Sequence, residues 1–524
     1  MPMSTRRLLP GTLIMAAAIV AVTVSGQEPA PLDQTRSLVT DAALPAIDRG
    51  LRLQDTTADP GDPVSWPLLA GDRAEVQPGE ALPGSIIVKF RREVDRDAAS
   101  ADALGRLGGT RIERREFTDW DILHIPATTD VEAAAAMMSA RGDVEYAQPR
   151  YLNHRMYRPN DPFYNLQWNM TALDMERAWD IQPGATSSVT VAVIDTGVAY
   201  KAGSYRFNSR FPFRLVAGGP VFPALGVVDI PFAAAPDLGD SARYVSPRDF
   251  IWGDDEPLDL DGHGTHVAGT IGQLTNNGVG VAGMAFNVRI MPIKVIAGEW
   301  DFIFGAPNGG TDDIVAQGIR YAADNNAKVI NLSLGREQGG PAPVVDAAVR
   351  YAVGRGAFVA IAAGNSRERG NLPNILGNVS PTISGAVTVS AVGKSLAGAY
   401  YSVTSPAVEL TAPGGDLRAD STGGVIQQTL DLDLLQTFRR PVAQFGPPRA
   451  DSFAYYYFQG TSMATPHVAG LAALLYQQGI TSPDAIEEAM KKFATDKGPP
   501  GRDDEYGVGM INPRATLRGL GLAR

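Results

Sequence analysis

The chain has 524 residues, 44% of them hydrophobic, with 46 Lys and Arg against 57 Asp and Glu and a net charge of −11. This composition excludes a disordered chain, and the length exceeds the roughly 250–300 residues that one core organises, so we expect several folding units or removable segments. Because the chain has no cysteine, disulfide frameworks, thiolate metal centres and cysteine nucleophiles are excluded. The mild acidity argues against nucleic acid as a partner.

The first 26 residues have the pattern of a secretory signal peptide. Arg6 and Arg7 precede an apolar run over residues 12–24, and the small residues that follow end at Gly26. The run is shorter than the roughly 20 residues needed to span a bilayer. We predict cleavage near Gly26, export to the medium, periplasm or cell surface, and no membrane span in the product. An uncleaved N-terminal anchor is the alternative.

A tether and a small domain are predicted next. Residues 27–82 are rich in Pro, Asp and Ala without an apolar period, which predicts a flexible tether. Residues 83–158 alternate strand and helix patterns in the order β-α-β-β-α-β, which is typical of a ferredoxin-like α+β unit. The predicted strands span 85–90, 110–117, 121–125 and 144–147, and the predicted helices span 96–107 and 130–141.

Residues 159–524 predict one large α/β domain. The predicted strands span 189–194, 288–295, 328–334, 357–363 and 387–392, and the predicted helices span 263–273, 312–325, 342–355 and 462–477. Apolar strands separated by helices predict a mostly parallel central sheet covered on both faces, which is a three-layer sandwich. Ligands of such sheets bind beyond the carboxyl ends of the strands.

Three motifs carry residues suited to nucleophilic catalysis. Asp195 ends a predicted strand in VAVIDTG, His263 lies in DGHGTHVAG, and Ser462 lies in GTSMATPHVAG. A serine hydroxyl needs an imidazole to remove its proton, and the imidazole needs a carboxylate to orient it. Each residue alone would be a turn, cap or core residue, but their combination predicts a catalytic triad.

Two further features bear on this site. Ser462 is expected to open a helix, so its backbone N–H and the side chain of Asn365, in AIAAGN, would face a developing oxyanion. His266 could form a metal pair with His263, but no third ligand stands at a suitable spacing, and His467 is expected in the core.

The motifs, in this order, resemble those of the subtilisin-type serine peptidases. With the segment NLSLG at 331–335, the resemblance extends over roughly residues 160–520, and the small domain resembles the family's propeptide. The resemblance implies that Asp195 orients the imidazole, His263 acts as general base and then acid, and Ser462 is the nucleophile. Asn365 and the Ser462 N–H would form the oxyanion hole.

The resemblance also implies protein or peptide substrates. An extended peptide would pair with the chain by strand addition, and its P1 side chain would enter a pocket beside the cleft. The implied contact residues are Ser333, Leu334, Gly335, Ala363 and Gly364. The same segment would also be explained as the end of a buried strand. The chain's own propeptide would be an intramolecular inhibitor, removed by autoprocessing between residues 149 and 161.

Residues 274–285, LTNNGVGVAGMA, resemble the family's calcium loop, which implies a structural calcium ion. Calcium takes six to eight oxygen ligands and accepts backbone carbonyls. The implied ligands are Gln167, Asp237, Asn277, Val279 and Val281. A solvated loop without metal is the alternative. The acidic run over residues 254–261 is expected to be a solvated face, with a weaker calcium site as its alternative.

Compared with the family pattern, the segments near 199–234 and 414–457 are insertions. We therefore predict a secreted, monomeric serine endopeptidase that is made as a zymogen. A catalytically silent binding protein on the same fold is the competing class, and the complete triad argues against it. A processing protease dedicated to one partner is a third hypothesis, which the insertion near 199–234 would support.

Overall fold

The computed structural model describes residues 81–151, 157–215, 218–239, 241–306 and 310–519. The predicted signal peptide and residues 27–80 of the predicted tether lie outside the described residues. The described chain forms two compact units, one ending at residue 151 and the other beginning at residue 157. Among these residues, no helix has the length and apolar character needed to cross a membrane.

The small unit is a four-stranded antiparallel sheet with two helices. Its elements are β1 (Ala81–Phe90), α1 (Arg96–Arg106), β2 (Arg111–Glu113), β3 (Asp121–His124), α2 (Val131–Ser139) and β4 (Val144–Tyr151). The strand order β2-β3-β1-β4 is that of a ferredoxin-like unit and confirms the predicted fold. Asp95 and Asp130 cap the two helices by accepting backbone N–H bonds. The second strand is shorter than predicted because Phe117 has φ of 61° and is fully exposed.

The large unit carries the remaining elements. Its strands are β5 (Thr190–Asp195), β6 (Gly203–Ser209), β7 (Gly226–Phe232), β8 (Arg248–Asp249), β9 (Arg289–Lys294), β10 (Val329–Leu332), β11 (Phe358–Ala362), β12 (Ala386–Val392), β13 (Val408–Pro413), β14 (Val425–Leu430) and β15 (Phe453–Phe458). Its helices are α3 (Trp168–Ala172), α4 (Met175–Ile181), α5 (His263–Gly272), α6 (Glu299–Ile303), α7 (Asp312–Asp324), α8 (Pro343–Gly354), α9 (Leu432–Leu435), α10 (Thr461–Gln477), α11 (Pro483–Lys492) and α12 (Pro513–Gly519).

Seven parallel strands form the central sheet of the large unit, in the order β13-β12-β11-β10-β5-β9-β8. Alternate residues of β5 enter two separate cores. Val191 and Val193 pack with α5 and α10 on one face, while Ala192 and Ile194 pack with α7 and α8 on the other. The predicted three-layer α/β sandwich is confirmed. The strands of this sheet that follow β5 in the chain lie on both sides of it, with β9 and β8 on one side and β10 to β13 on the other. The carboxyl end of β5, at Asp195, therefore lies at a topological switch point, which is where α/β sheets usually bind ligands.

Several parts of the fold were not predicted from the sequence. The edge strands β8 and β13 were not predicted. The segment near 414–457 contains the antiparallel pair β14–β15, whose first strand is buried against α5. Met510 forms isolated bridges with Thr411 and Thr495. The pair β6–β7 within residues 199–234 is a second antiparallel hairpin.

Candidate active site

The carboxylate of Asp195 is buried at the carboxyl end of the central strand β5. Its Oδ1 atom accepts hydrogen bonds from the Thr196 backbone N–H at 2.8 Å and from His263 Nδ1 at 2.7 Å. Its Oδ2 atom has no hydrogen-bond partner among the described residues. The carboxylate therefore holds the imidazole in one orientation, with Nδ1 donating and Nε2 directed elsewhere.

His263 is the first residue of helix α5, and glycines bring this helix against the turn after β5. Gly262 precedes the helix with φ of 95°, a left-handed conformation that favours glycine. A Cβ atom on Gly264 would lie 2.1 Å from the Gly197 carbonyl oxygen, so no larger residue fits there. The Gly264 N–H also donates to Thr196 Oγ1 at 3.0 Å. These contacts set the distance between the carboxylate and the imidazole.

Asp259 anchors the loop that leads to His263. Its buried carboxylate accepts bonds from the hydroxyls of Thr196 and Thr265, at 3.1 and 2.5 Å, and from the backbone N–H groups of Asp261 and Gly262, at 3.0 and 2.9 Å. The sequence prediction of a solvated acidic face is therefore wrong for Asp259. The carboxylate is buried because backbone donors and hydroxyls replace water around it.

The electrostatics around His263 favour its protonated form. Burial lowers the pKa of His263, but the charge and hydrogen bond of Asp195, with further charges on Asp261 and Asp259, more than offset this and leave the pKa raised. Burial raises the pKa of Asp261 to about 6, and the charge of Asp259 adds to this rise. An imidazolium formed during a reaction would therefore be stabilised.

Two other histidines of the large unit serve packing. His266 Nε2 donates to the carbonyls of Val425 and Tyr456, at 3.1 Å each, and its ring stacks on Phe458 at 4.3 Å. Burial lowers the pKa of His266 to about 3 and that of His467 to about 4. The structure therefore gives no support to a metal pair of His263 and His266, and it places His467 in the core as expected.

Ser462 is the second residue of α10, after Gly460 with φ of 154°. Its side chain donates to the Ser333 carbonyl at 3.1 Å, and no hydrogen bond joins it to His263 within the described chain. Its own carbonyl lacks the usual helical partner, since Pro466 has no N–H, and accepts the Ser333 hydroxyl at 2.8 Å instead. The backbone N–H of Ser462 makes no hydrogen bond to any described residue.

Asn365 lies beside the beginning of α10. Its Oδ1 atom accepts bonds from the backbone N–H and the hydroxyl of Thr461, at 2.9 and 3.0 Å. This orientation leaves Nδ2 without an acceptor in the described part of the chain. Two unused donors, Asn365 Nδ2 and the Ser462 N–H, thus remain near the first turn of the helix. They are suited to binding an anionic oxygen.

The predicted substrate segment follows β10 at the same edge of the sheet. Within the described residues, the backbone N–H and C=O of Gly335 have no hydrogen-bond partner, as strand addition requires. The Leu334 and Ala362 carbonyls, in contrast, both accept bonds from Asn374 Nδ2, at 2.9 and 2.7 Å. Asn374 therefore ties the two sides of the predicted P1 pocket together.

Sequence reasoning missed Asn374, which follows Leu372 and Pro373 in the loop after β11. The backbone N–H of Asn374 also bonds the Ala363 carbonyl at 3.0 Å. Gly364, with φ of 107°, donates its N–H to Thr461 Oγ1 at 3.1 Å. The predicted wall residues Ala363 and Gly364 are thus fixed to this loop and to α10.

The predicted calcium loop surrounds a buried carboxylate. Asp237 Oδ1 accepts Asn277 Nδ2 at 2.9 Å, and Oδ2 accepts the Val281 N–H at 3.1 Å and the Tyr455 hydroxyl at 3.3 Å. Gln167 bonds both the N–H and the carbonyl of Ala282, at 2.7 and 2.8 Å. Burial raises the pKa of Asp237 to about 6.

Three of the five predicted ligands, Asn277, Val279 and Val281, belong to this loop, and Val279 is exposed. The other two, Gln167 and Asp237, bond to it from outside. Sequence reasoning missed Asp161, whose carboxylate accepts the Asn276 N–H at 2.7 Å. Neither Asp161 nor Asp237 forms an ion pair with a described residue. The described contacts of the buried Asp237 carboxylate are N–H and O–H donors, and no group of three His, Asp or Glu side chains suited to a metal occurs in the described ranges.

Comparisons with known proteins agree with this architecture. A model of the subtilase family matches residues 186–509, and a model of the fervidolysin N-terminal prodomain matches residues 70–150. A thermophilic serine proteinase of Bacillus sp. strain AK1 is 31% identical over 423 residues, covering 79% of this chain and 84% of that protein. An extracellular protease of Xanthomonas campestris pv. campestris is 29% identical over 408 residues, covering 74% of this chain and 61% of that protein.

Among solved structures, a protease of Pseudoalteromonas arctica matches with a TM-score of 0.51 and 29% identity, over 69% of this chain and 99% of that one. The family model covers most of the large unit, including all three motifs. The prodomain match includes the whole described small unit except Tyr151. The chain therefore belongs to the subtilase family and is a subtilisin-like serine protease with an N-terminal prodomain.

Proposed function

We propose that the chain is a secreted endopeptidase that processes itself from a zymogen and cleaves peptide bonds through an acyl-enzyme on Ser462. The observation that carries the proposal is the 2.7 Å bond between His263 Nδ1 and Asp195 Oδ1 at the switch point of the sheet. This bond makes Nε2 the proton-accepting atom of the imidazole.

In the first half of the reaction, the Ser462 hydroxyl turns from the Ser333 carbonyl toward His263. Nε2 takes the hydroxyl proton as Oγ attacks the carbonyl carbon of the substrate, and the carbonyl oxygen becomes an oxyanion. Asn365 Nδ2 and the Ser462 N–H donate to this oxygen. The C–N bond then breaks, and His263 gives its proton to the leaving amine.

Water completes the reaction by the same steps. Nε2 takes a proton from water, the hydroxide oxygen attacks the acyl carbon, and the new oxyanion is bound by the same two donors. The bond from the carbonyl carbon to Oγ breaks, and Ser462 regains its proton from His263. Asp195 remains ionised throughout and stabilises the imidazolium that forms twice in each cycle.

Substrates would bind as an extended strand along Ser333, Leu334 and Gly335. The unpaired backbone groups of Gly335 would supply the main-chain bonds, and the walls at Ala363 and Gly364 would select the P1 side chain. We propose that the prodomain inhibits the enzyme in the same manner before it is cut off, within residues 149–161.

We also propose one structural calcium ion in the loop around Asp237. Gln167, Asn277 and the carbonyls of Val279 and Val281 would complete its ligands, and the ion would neutralise the buried carboxylate. Calcium would stabilise the fold and would take no part in bond cleavage.

Export is proposed from the signal-like pattern over the first 26 residues, which lie outside the described chain. The similar Xanthomonas protein is named an extracellular protease. We propose that the processed enzyme is a monomer outside the cytoplasm.

Labelling with a fluorophosphonate, followed by peptide mass mapping, tests the proposed nucleophile. The activated protein should carry one adduct on Ser462, and the Ser462→Ala variant should carry none. An adduct elsewhere, or none at all, would contradict the assignment.

Self-processing is tested by expressing Ser462→Ala in a protease-deficient host. The variant should accumulate at precursor size, whereas the wild type should accumulate at mature size. A variant of mature size would show that another protease removes the prodomain.

A further inference from the structure

A second cavity lies in the large unit, outside the candidate catalytic cleft. Its volume is about 720 Å³, within the range of roughly 300–1,000 Å³ that is usual for binding sites. Its walls come from β6 and the residues that follow it, within 205–213, from residues within 249–260, and from residues 302–305 at the end of α6. None of the proposed triad, oxyanion or cleft residues lines it.

The inner wall of this cavity, which we name the aromatic groove, is built from rings packed on one another. Phe207 of the hairpin stacks on Phe304 with ring centroids 4.7 Å apart, and its edge contacts Trp252 at 6.0 Å. Phe304 in turn stacks on buried Trp300 at 5.2 Å. Because these rings support one another, the groove is formed before any ligand enters.

Two further aromatic rings stand open at the groove. Phe211, just after β6, is 76% exposed, and Phe302, on α6, is 56% exposed. Neither forms a ring contact with a described residue. Large exposed aromatic side chains that line one concave surface are typical of binding sites rather than of ordinary protein surface.

The aromatic groove and the candidate cleft share the loop that ends at His263. Leu258 and Leu260 line the groove, while Asp259 between them anchors the loop from within. The buried Lys294 fixes this wall, since its Nζ atom donates to the Leu258 carbonyl and pairs with Asp301 of α6, both at 2.9 Å. A peptide in the cleft could therefore continue along a rigid surface into the groove.

Five charged side chains line the groove, and two of them, Arg206 and Glu256, form ion pairs with described residues. Arg206 pairs with Asp229 at 2.9 Å, and Glu256 pairs with Lys201 at 2.5 Å. The remaining three, Arg210, Asp249 and Asp254, carry both signs of charge, so the feature that distinguishes the groove is its exposed aromatic surface.

We propose that the aromatic groove is an accessory subsite that binds aromatic or large aliphatic side chains of an extended polypeptide substrate, at positions outside those held in the cleft. This inference rests on the proposed peptidase function and assigns a substrate class to it. The enzyme would prefer long, unfolded chains with apolar segments over short peptides. The β6–β7 hairpin would thus serve substrate selection.

The test uses the activated enzyme with the double substitution Phe211→Ser and Phe302→Ser. Quenched fluorescent peptides of about 14 residues would carry Phe or Ser at single positions on either side of the cleavage point, and a tetrapeptide p-nitroanilide would serve as the short substrate. The wild type should prefer at least one Phe-containing peptide over its Ser counterpart. The double variant should lose about tenfold in kcat/KM on that peptide and nothing on the tetrapeptide.

Val227→Ser is the matched control, because Val227 is 63% exposed on the same hairpin but does not line the groove. It should leave both activities unchanged. Equal wild-type and double-variant rates on every long peptide would overturn the accessory subsite while leaving the peptidase function intact. Light scattering gives the oligomeric state. If the wild type is a dimer and the double variant a monomer, the groove binds a second copy of the chain, and the accessory subsite is likewise overturned.

Discussion

Asp195 and Asp237 are both buried carboxylates of the large unit, but they differ in what neutralises them. Asp195 contacts an imidazole at 2.7 Å and has one oxygen without a partner. Asp237 contacts an amide, a backbone N–H and a phenol, all of them neutral groups. Burial raises the pKa of Asp237 to about 6.

The difference separates the proposed reactive site from the proposed structural one. A buried carboxylate is stable only with compensating charge or several hydrogen bonds. At Asp195 the compensating charge would arise within the molecule, when His263 takes a proton. At Asp237 three neutral donors contact the carboxylate, and the proposed calcium ion would add the compensating charge. Substitutions at the two positions should therefore change different properties, activity at one and stability at the other.

The largest effect is expected from Ser462→Ala, which removes the proposed nucleophile. Activity on a tetrapeptide p-nitroanilide should fall on the order of 10⁶-fold, the size of the corresponding effect in subtilisin. The melting temperature should stay close to that of an inhibited wild type. A decrease below 100-fold would refute the proposed role.

Asp195→Asn should lower kcat by about 10⁴-fold, since the amide can no longer hold the imidazole in the required tautomer. Thermal unfolding should change little, because the substitution removes no volume. A variant that loses stability but keeps its activity would contradict the reactive role proposed for Asp195.

Asn365→Ala should lower kcat by about 10²- to 10³-fold with little change in KM, because the amide would bind the oxyanion and not the ground-state substrate. Steady-state kinetics separate the two constants. Since Asn365 also bonds Thr461, an increase in KM of similar size would indicate a positioning role instead.

Asp237→Asn tests the proposed role of Asp237 in stability. In wild type, adding calcium after chelation should raise the melting temperature by roughly 3–8 °C. In the variant this increment should disappear, while kcat remains within a factor of about two.

The exposed residue Asp313 provides the control, and Asp313→Asn should keep the full calcium increment. Without calcium, the raised pKa means that ionising Asp237 costs stability as the pH rises from about 4 through about 6. Asp237→Asn should therefore flatten this decline. A wild type that melts identically with and without calcium would remove the proposed ion.

The smallest effect is expected from Asp261→Asn. Asp261 is one of the charges that raise the pKa of His263, and only neutral His263 can accept a proton. The acid limb of kcat/KM should therefore move to lower pH, by less than about one unit. A shift to higher pH would contradict the charge assignment.

The sequence predicted the sheet and the two main helices of the site because their signals are local. Buried parallel strands are continuous apolar runs, and the residues beside Asp195, His263 and Ser462 are glycines and small side chains that close packing requires. The proposed roles of those three residues are still predictions. The fold class, in contrast, follows from the strand order.

The rest could not be predicted because it depends on contacts between distant segments. Asn374 lies 40 residues from Leu334, and nothing in its own segment indicates that it bonds that carbonyl. Asp259 sits in an acidic run that resembles surface, and its burial depends on hydroxyls at Thr196 and Thr265. The β14–β15 pair lies within the predicted insertion near 414–457, and its two strands are separated in the chain by residues 431–452, so their pairing has no local signal.

Of the three histidines in the described large unit, two are packed in the core, so the titration of the third, His263, can be followed by itself. In the large unit, His266 and His467 are fully buried and have pKa values lowered to about 3 and about 4. His263 is 17% exposed in its side chain, and its pKa is shifted in the opposite direction. In a nuclear magnetic resonance titration between pH 5 and 10 of an enzyme cut on the carboxyl side of His154, a single imidazole signal should therefore move. The chemical shift of that one signal would report the protonation of His263 in the proposed triad, without isotope labelling of single residues.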